Sequence, residues 1–154
     1  MGVRLTPEEI DGFLEKGHTL IFTTVDKDGY PHSTPLWYVY MDGHIYTRTL
    51  KKSQKAKNVE RDPKVCCLVE TGERWVDLES VVIRGRAELV QDQATKEKYE
   101  AGLGAKYAEF RAPLQKAPSK VQQHYAQERV YYKIVPEKRI ASWYNQKVRL
   151  GATS

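Results

Sequence analysis

The sequence is short of the residues that would commit it to a staple, a membrane or a metal. It has two cysteines, Cys66 and Cys67, side by side. Strand alternation sends neighbours to opposite faces, which is poor geometry for a bridge. A reduced, cytoplasmic protein is the reading that follows. Apolar runs such as Leu20 to Phe22 and Val81 to Ile83 fall far below the ~20 residues of a membrane-spanning helix. Pro7, Glu8 and Glu9 lie where a secretory signal would need its apolar core. The histidines (His18, His32, His44, His124) show no HxH, HxxxH or Cys/His spacing, so no metal site is expected. Gly-x-Ser-x-Gly, P-loop and Gly-x-Gly-x-x-Gly patterns are absent too.

What is present is a globular balance, with 40% apolar and 29% charged residues over 154 positions. That length implies one domain, with a core over about 5–147 and a tail at 148–154. It can bury roughly 68–70% of its unfolded surface without a disulfide or metal. The opening Met1-Gly2-Val3-Arg4-Leu5-Thr6 meets the loose N-myristoylation pattern. Thr6 has a sufficient structural task, however, and no polybasic cluster follows to add a second membrane signal.

The net charge of +5 has an address. Arg48, Lys51, Lys52, Lys55, Lys57, Arg61 and Lys64 face only Glu60 and Asp62 within one window, which leaves the rest of the chain neutral. A single basic patch implies a local anionic partner.

Strand signals dominate the pattern. Thr6-Pro7-Glu8-Glu9 first starts a short helix, with an N-cap, a proline in the first turn and the glutamate of a capping box. Leu5 and Ile10 have staple spacing, and Ile10, Phe13 and Leu14 form one apolar face. Strands are expected at Leu20 to Val25, His32 to Met41, His44 to Thr49, Val65 to Glu70, Val76 to Val90, Val130 to Val135 and Arg139 to Tyr144. In the second, Leu36, Tyr38 and Tyr40 share one face and Trp37, Val39 and Met41 the other. Gly85 marks a bend or bulge. Helices are expected at Ser53 to Asp62, at Asp92 to Arg111 with Tyr99, Leu103, Tyr107 and Phe110 along one side, and at Ser119 to Gln127. Antiparallel strands joined by hairpin-length turns, with two to four short helices, argue for a small barrel.

Two stretches carry chemistry. In Lys51-Lys52-Ser53-Gln54-Lys55-Ala56-Lys57-Asn58, Ser53 is a natural N-cap that places Lys55 and Lys57 in the first helical turn. Cations there oppose the helix dipole at a few tenths to about 1 kcal/mol each. Free backbone N–H groups, a serine hydroxyl and ammonium groups together make a phosphate site. A solvated basic face explains the octapeptide equally well. In Tyr30-Pro31-His32-Ser33-Thr34-Pro35-Leu36-Trp37-Tyr38, Pro35 cannot donate to a ladder, so the strand lies at an edge or is locally unpaired. The hydroxyls of Ser33 and Thr34 and the flat Trp37 would suit a planar, hydrogen-bonding heterocycle. Ordinary barrel aromatics remain the alternative. Ser142-Trp143-Tyr144 either packs on the barrel or lines a pocket.

Taken in order, these stretches resemble the FMN-binding split-barrel superfamily, the pyridoxamine-phosphate-oxidase-like proteins, and within them the flavin/deazaflavin oxidoreductases. The matching segments are 28–38, 42–46, 52–58, 61–65, 85–88 and Ser142-Trp143. The resemblance implies a mainly β fold, a six-stranded antiparallel split barrel that dimerises with cofactor sites at the dimer interface. It implies that Ser53 and Lys55 hold the phosphate of FMN or coenzyme F420, with Lys52, Gln54 and Asn58 around it. His32, Ser33, Thr34, Pro35, Leu36 and Trp37 would line the ring, largely through backbone groups. Tyr46 and Thr47 would sit beside the phosphate end. The chemistry would be the cofactor's, a hydride exchanged with a small organic substrate.

The chain departs from the true pyridoxamine-phosphate oxidases in two places. Gln54 stands where they have an arginine, and their arginine- and histidine-containing C-terminal motif is absent from Arg139 to Ser154, so pyridoxamine phosphate is not the expected substrate. Many relatives also have an aspartate where this chain has Tyr144. A non-catalytic flavin or haem binder would share every binding residue. A nucleic-acid-binding barrel is disfavoured, because the positive charge sits at one helix start and does not track along a groove.

Overall fold

The computed structural model describes residues 3–148; Met1, Gly2 and most of the expected tail lie outside them. Thr6 caps α1 (Pro7–Lys16), and both halves of the capping box form with Glu9. The strands follow as β1 (Leu20–Val25), β2 (Pro31–Leu36), β3 (Tyr38–Met41) and β4 (His44–Leu50). After α2 (Gln54–Arg61) come β5 (Lys64–Thr71) and β6 (Glu79–Leu89). Helices α3 (Gln93–Lys106) and α4 (Ser119–Tyr125) then precede β7 (Arg129–Pro136) and β8 (Ala141–Tyr144).

All pairings are antiparallel, in the order β2-β1-β5-β6-β7-β4-β3, with β8 added beside one end of β6. Each edge strand has a single partner, yet β2 and β3 are separated only by Trp37. The sheet must therefore curl until its two edges meet at that residue, which makes it a split barrel. The expected second strand is thus two strands, because the chain leaves β1 and joins β4 at Trp37. Where the resemblance implied six strands, the described residues form eight. Pro31 and Pro35 both lie on the edge strand β2, where a missing donor costs no ladder bond.

The barrel interior holds Leu20, Phe22, Cys67, Val69, Val81, Ile83 and Ile134, all under 5% exposed. Each large apolar side chain buried there contributes about 1.5–3 kcal/mol. Tyr38 belongs to this cluster, and Leu36 and Tyr40 pack against it. Val39 and Met41 point the other way, into a second cluster under α3 with Tyr46, Tyr99, Leu103 and Tyr107. Phe110 is not part of that face: α3 stops at Lys106, and Phe110 sits exposed in a 3₁₀ turn against His18. Gly85 is required by close approach, since a Cβ there would lie 2.0 Å from the Val135 carbonyl oxygen.

Helix α3 covers the outside of β3, β4 and β7. Among the described residues, no such cover lies on the outer side of β1, β5 and β6. Ile21, Leu68 and Val82 lie in register across it, half-buried, and none joins either cluster.

Candidate functional site

The basic window folds as a helix start. Strand β4 ends at Leu50, whose carbonyl accepts the Ser53 N–H at 3.0 Å, and α2 begins one residue later. Ser53 Oγ accepts the Ala56 N–H at 3.2 Å and lies 3.3 Å from Thr49 Oγ1. The Lys57 N–H donates to Ser53 O. The N–H groups of Gln54 and Lys55 find no acceptor among the described residues. Two backbone donors and two hydroxyls thus converge at the positive end of a helix.

The lysines around this point are not equivalent. Lys51 is paired with Glu128 at 3.5 Å. Lys52 and Lys57 are exposed. Lys55 is half-buried, and no carboxylate lies within 4.0 Å of it among the described residues. Loss of hydration pulls its ammonium below the usual lysine range. A chain that draws one cation of four inward without an anion has left that position for one.

Asn58 has a different task. It is fully buried, its Nδ2 donates to Thr24 Oγ1 at 3.0 Å, and its Oδ1 accepts Gln54 Nε2 at 2.8 Å. Arg61 also reaches back to the carbonyl of Val25. Asn58 therefore ties α2 to β1, and its amide is used on both sides.

That tie brings β2 into the neighbourhood. Thr24 is in register with His32, and Phe22 with Thr34. His32, Thr34 and Leu36 face inward, whereas Pro31, Ser33 and Pro35 face out. His32 Nδ1 and Thr34 Oγ1 are buried without any partner. Such groups cost about 1–3 kcal/mol each when left unsatisfied, so two on alternate residues beside an open helix start mark a place where polar partners belong. Outside, Ser33 Oγ lies 2.8 Å from Thr23 Oγ1.

The structure does not bring every expected residue here. Tyr46 turns to the opposite face of β4, under α3, and is 7% exposed. Thr47 is buried, and its hydroxyl donates to the Trp37 carbonyl at 2.8 Å. The hydroxyl of β4 that reaches Ser53 belongs to Thr49, which the sequence reading missed. The period of two along the strand places Thr47 and Thr49 on one face, with Thr49 the nearer to the cap. Trp37 stacks on Tyr107, with centroids 4.3 Å apart and planes 11° from parallel, so one of its faces is occupied. Lys106 also escaped notice: its Nζ lies 3.7 Å from the Tyr38 ring centroid and donates to Tyr38 O at 3.1 Å.

The donor set of free N–H groups, Ser53 and Thr49 hydroxyls and Lys55 fits a phosphate, and the unpartnered groups of β2 fit a polar heterocycle next to it. Comparison with known proteins bears on the same segments. In fold, the chain is similar to a conserved hypothetical protein of Mycobacterium tuberculosis, with 31% identity, 99% of this chain and 93% of that one covered, and a TM-score of 0.81. It is similar to a FAD-binding protein of Mesorhizobium loti (22% identity, 90% and 92% covered, TM-score 0.66). An F420 reductase is similar as well (22%, 84% and 94%, 0.61). No curated protein sequence matches. The family profile described as pyridoxamine 5'-phosphate oxidase matches residues 6–142, from the cap of α1 into β8. Fold, site segments and profile coincide over nearly the whole length, and the chain belongs to the pyridoxamine 5'-phosphate oxidase family.

Proposed function

We propose that this protein is an oxidoreductase that binds FMN or the deazaflavin F420 and exchanges hydride with a small organic substrate. The observation that carries this reading is the half-buried, unpaired Lys55 at a helix start with two free N–H groups. Lys55, Ser53, Thr49 and the N–H groups of Gln54 and Lys55 would hold the phosphate. His32 and Thr34, with the backbone of β2 through Leu36, would orient the ring, and Pro35 would leave that edge open for it. Lys52 and Lys57, exposed beside the site, would serve the acidic tail of F420; FMN needs neither. When bound, such a group supplies hydride transfer at its ring, and the protein's part is orientation and exclusion of water.

A homodimer completes the proposal. The uncovered outer side of β1, β5 and β6 carries Ile21, Leu68 and Val82, and a second copy of this chain would cover it. The side chains gathered at the site include no paired carboxylates and no activated serine, so turnover is expected to require added reduced cofactor. The test is expression in a host that makes both cofactors, followed by the spectrum and mass of what co-purifies. Turnover of a test electron acceptor with reduced FMN or F420 then separates an enzyme from a storage protein. A protein that takes up neither cofactor would overturn the reading.

A further inference from the structure

Between α3 and β7 the chain leaves the barrel over 108–128 and returns. This arm holds two 3₁₀ turns, Ala108–Phe110 and Leu114–Lys116, and then α4. None of its residues is buried, and all but the half-covered Ala117 are exposed. It is braced from within: Gln122 Nε2 donates to the carbonyls of Ala117 at 2.7 Å and Gln115 at 3.2 Å. Among the described residues, every hydrogen bond made by 111–124 stays inside the arm. Its ties to the barrel are at the roots. Phe110 packs edge-on against His18, with ring centroids 4.8 Å apart. At the other end Arg129 Nη2 donates to Tyr125 O at 2.7 Å, and the Lys51 N–H donates to Glu128 O at 2.9 Å.

Two features of the arm are independent of each other. The first is apolar: Phe110, Leu114, Val121 and Tyr125 are all exposed. Val121 and Tyr125, one helical turn apart, share a face of α4. A helix of seven residues with no buried side chain takes nothing from the core, and alone it is marginal in water. Apolar side chains gathered on such a segment mark a contact surface. The second feature is charge. From 110 to 127 the chain has no aspartate or glutamate, against Arg111, Lys116 and Lys120. These three are exposed, and none has a carboxylate within 4.0 Å among the described residues. The second root adjoins the basic window at Lys51, so positive charge continues from the arm towards α2.

We propose that the arm docks on an anionic lipid surface, with Leu114, Val121 and Tyr125 entering the headgroup region and Arg111, Lys116 and Lys120 on the lipid phosphates. Apolar tips among cations, with no carboxylate between them, have the composition of an interfacial segment. A single-stranded nucleic acid would answer the charge, but it needs a succession of stacking rings, and Leu114 and Val121 cannot stack. An apolar protein surface would leave the three cations without a task. No helix of the described residues is long and apolar enough to cross a bilayer, so the contact is peripheral. Both roots, the end of α3 and the start of β7, lie off the outer face of β1, β5 and β6, so a homodimer through that face leaves the arm free. The docking does not depend on the cofactor reading above.

The test is cosedimentation of the full chain with vesicles of phosphatidylcholine alone and of phosphatidylcholine with an equal share of phosphatidylglycerol. Each cation near an anionic surface is worth about 5-fold in affinity, so three predict a preference on the order of 100-fold for the anionic vesicles. That preference should weaken as salt is raised. Lys116→Ala combined with Lys120→Ala should reduce it at least about 10-fold. Leu114→Ser combined with Val121→Ser leaves the charge unchanged and should weaken binding at least about 5-fold. All four side chains are exposed and outside both core clusters, so the urea midpoint should not move. Lys55→Ala should leave vesicle binding unchanged, which separates a failure here from a failure of the phosphate site. Equal binding to the two vesicles, binding to neither, or indifference to Leu114 and Val121 would each overturn the proposal. Capture of an oligothymidylate in place of the anionic vesicles would do the same. So would loss of a dimer mass in the Leu114→Ser, Val121→Ser variant, since the arm would then pack on a second copy.

Discussion

Replacing Lys55 by alanine tests the helix start quantitatively. The side chain is half-buried and unpaired, so it pays a hydration cost that only an anion offsets. A charge-assisted hydrogen bond to a phosphate is worth about 1.5–3 kcal/mol. Its loss corresponds to roughly 10- to 150-fold weaker FMN binding. The cofactor-free protein should be no less stable. Removing a cation from the positive end of a helix relieves a few tenths to about 1 kcal/mol, and the desolvation of the ammonium is relieved with it. Lys57→Ala is the control, because Lys57 makes the same charge change two residues on but is exposed. It should cost far less affinity. The assay is flavin fluorescence quenching at fixed salt, paired with urea denaturation of the cofactor-free variants. Equal, small losses of affinity in the two variants would refute the site, since a solvated basic face treats both lysines alike.

Asn58→Ala should destabilise the fold by about 1–3 kcal/mol, because it strands the buried Thr24 hydroxyl; a urea midpoint within error of wild type would contradict the tie. Gly85→Ala forces a Cβ against the backbone of β7 and should cost about 3 kcal/mol, the upper end for overpacking, read from the same denaturation. Burial lowers the Lys106 ammonium to about 8. Its folded value thus lies below its unfolded one, so the unfolded chain binds more protons between about pH 8 and 10.5 and stability rises with pH there. Wild type should gain on Lys106→Met as pH is raised through that window, and parallel pH profiles of the two would show otherwise. Light scattering of the cofactor-loaded protein at micromolar concentration should give twice the 17.8 kDa chain mass, and a monomer mass would remove the dimer.

The barrel was legible because its signals are local. The Thr6 box, the alternation in β1 and the Ser53 cap each need only a few neighbouring residues to be read. The break at Trp37 was not, because nothing in Leu36-Trp37-Tyr38 says that the chain changes partners between β1 and β4; that is decided by closure of the whole sheet. Asn58 entered the expected site through the family resemblance, which says nothing of its burial. Its burial depends on Thr24, 34 residues away. Tyr46 and Thr49 show the same limit at smaller scale, since alternation says which residues share a face but not which face α3 covers. Cys66 and Cys67 went as alternation predicts, with Cys67 in the core and Cys66 half-buried on the other side.

The most direct test of the central claim is an amide shift map of the full chain titrated with FMN and, separately, with F420. The account predicts that the backbone N–H signals of Gln54 and Lys55 move most, downfield as expected for donors to a phosphate, with Thr34 and its neighbours on β2 following. Saturable binding that leaves Gln54 and Lys55 unmoved while shifting another surface would contradict it.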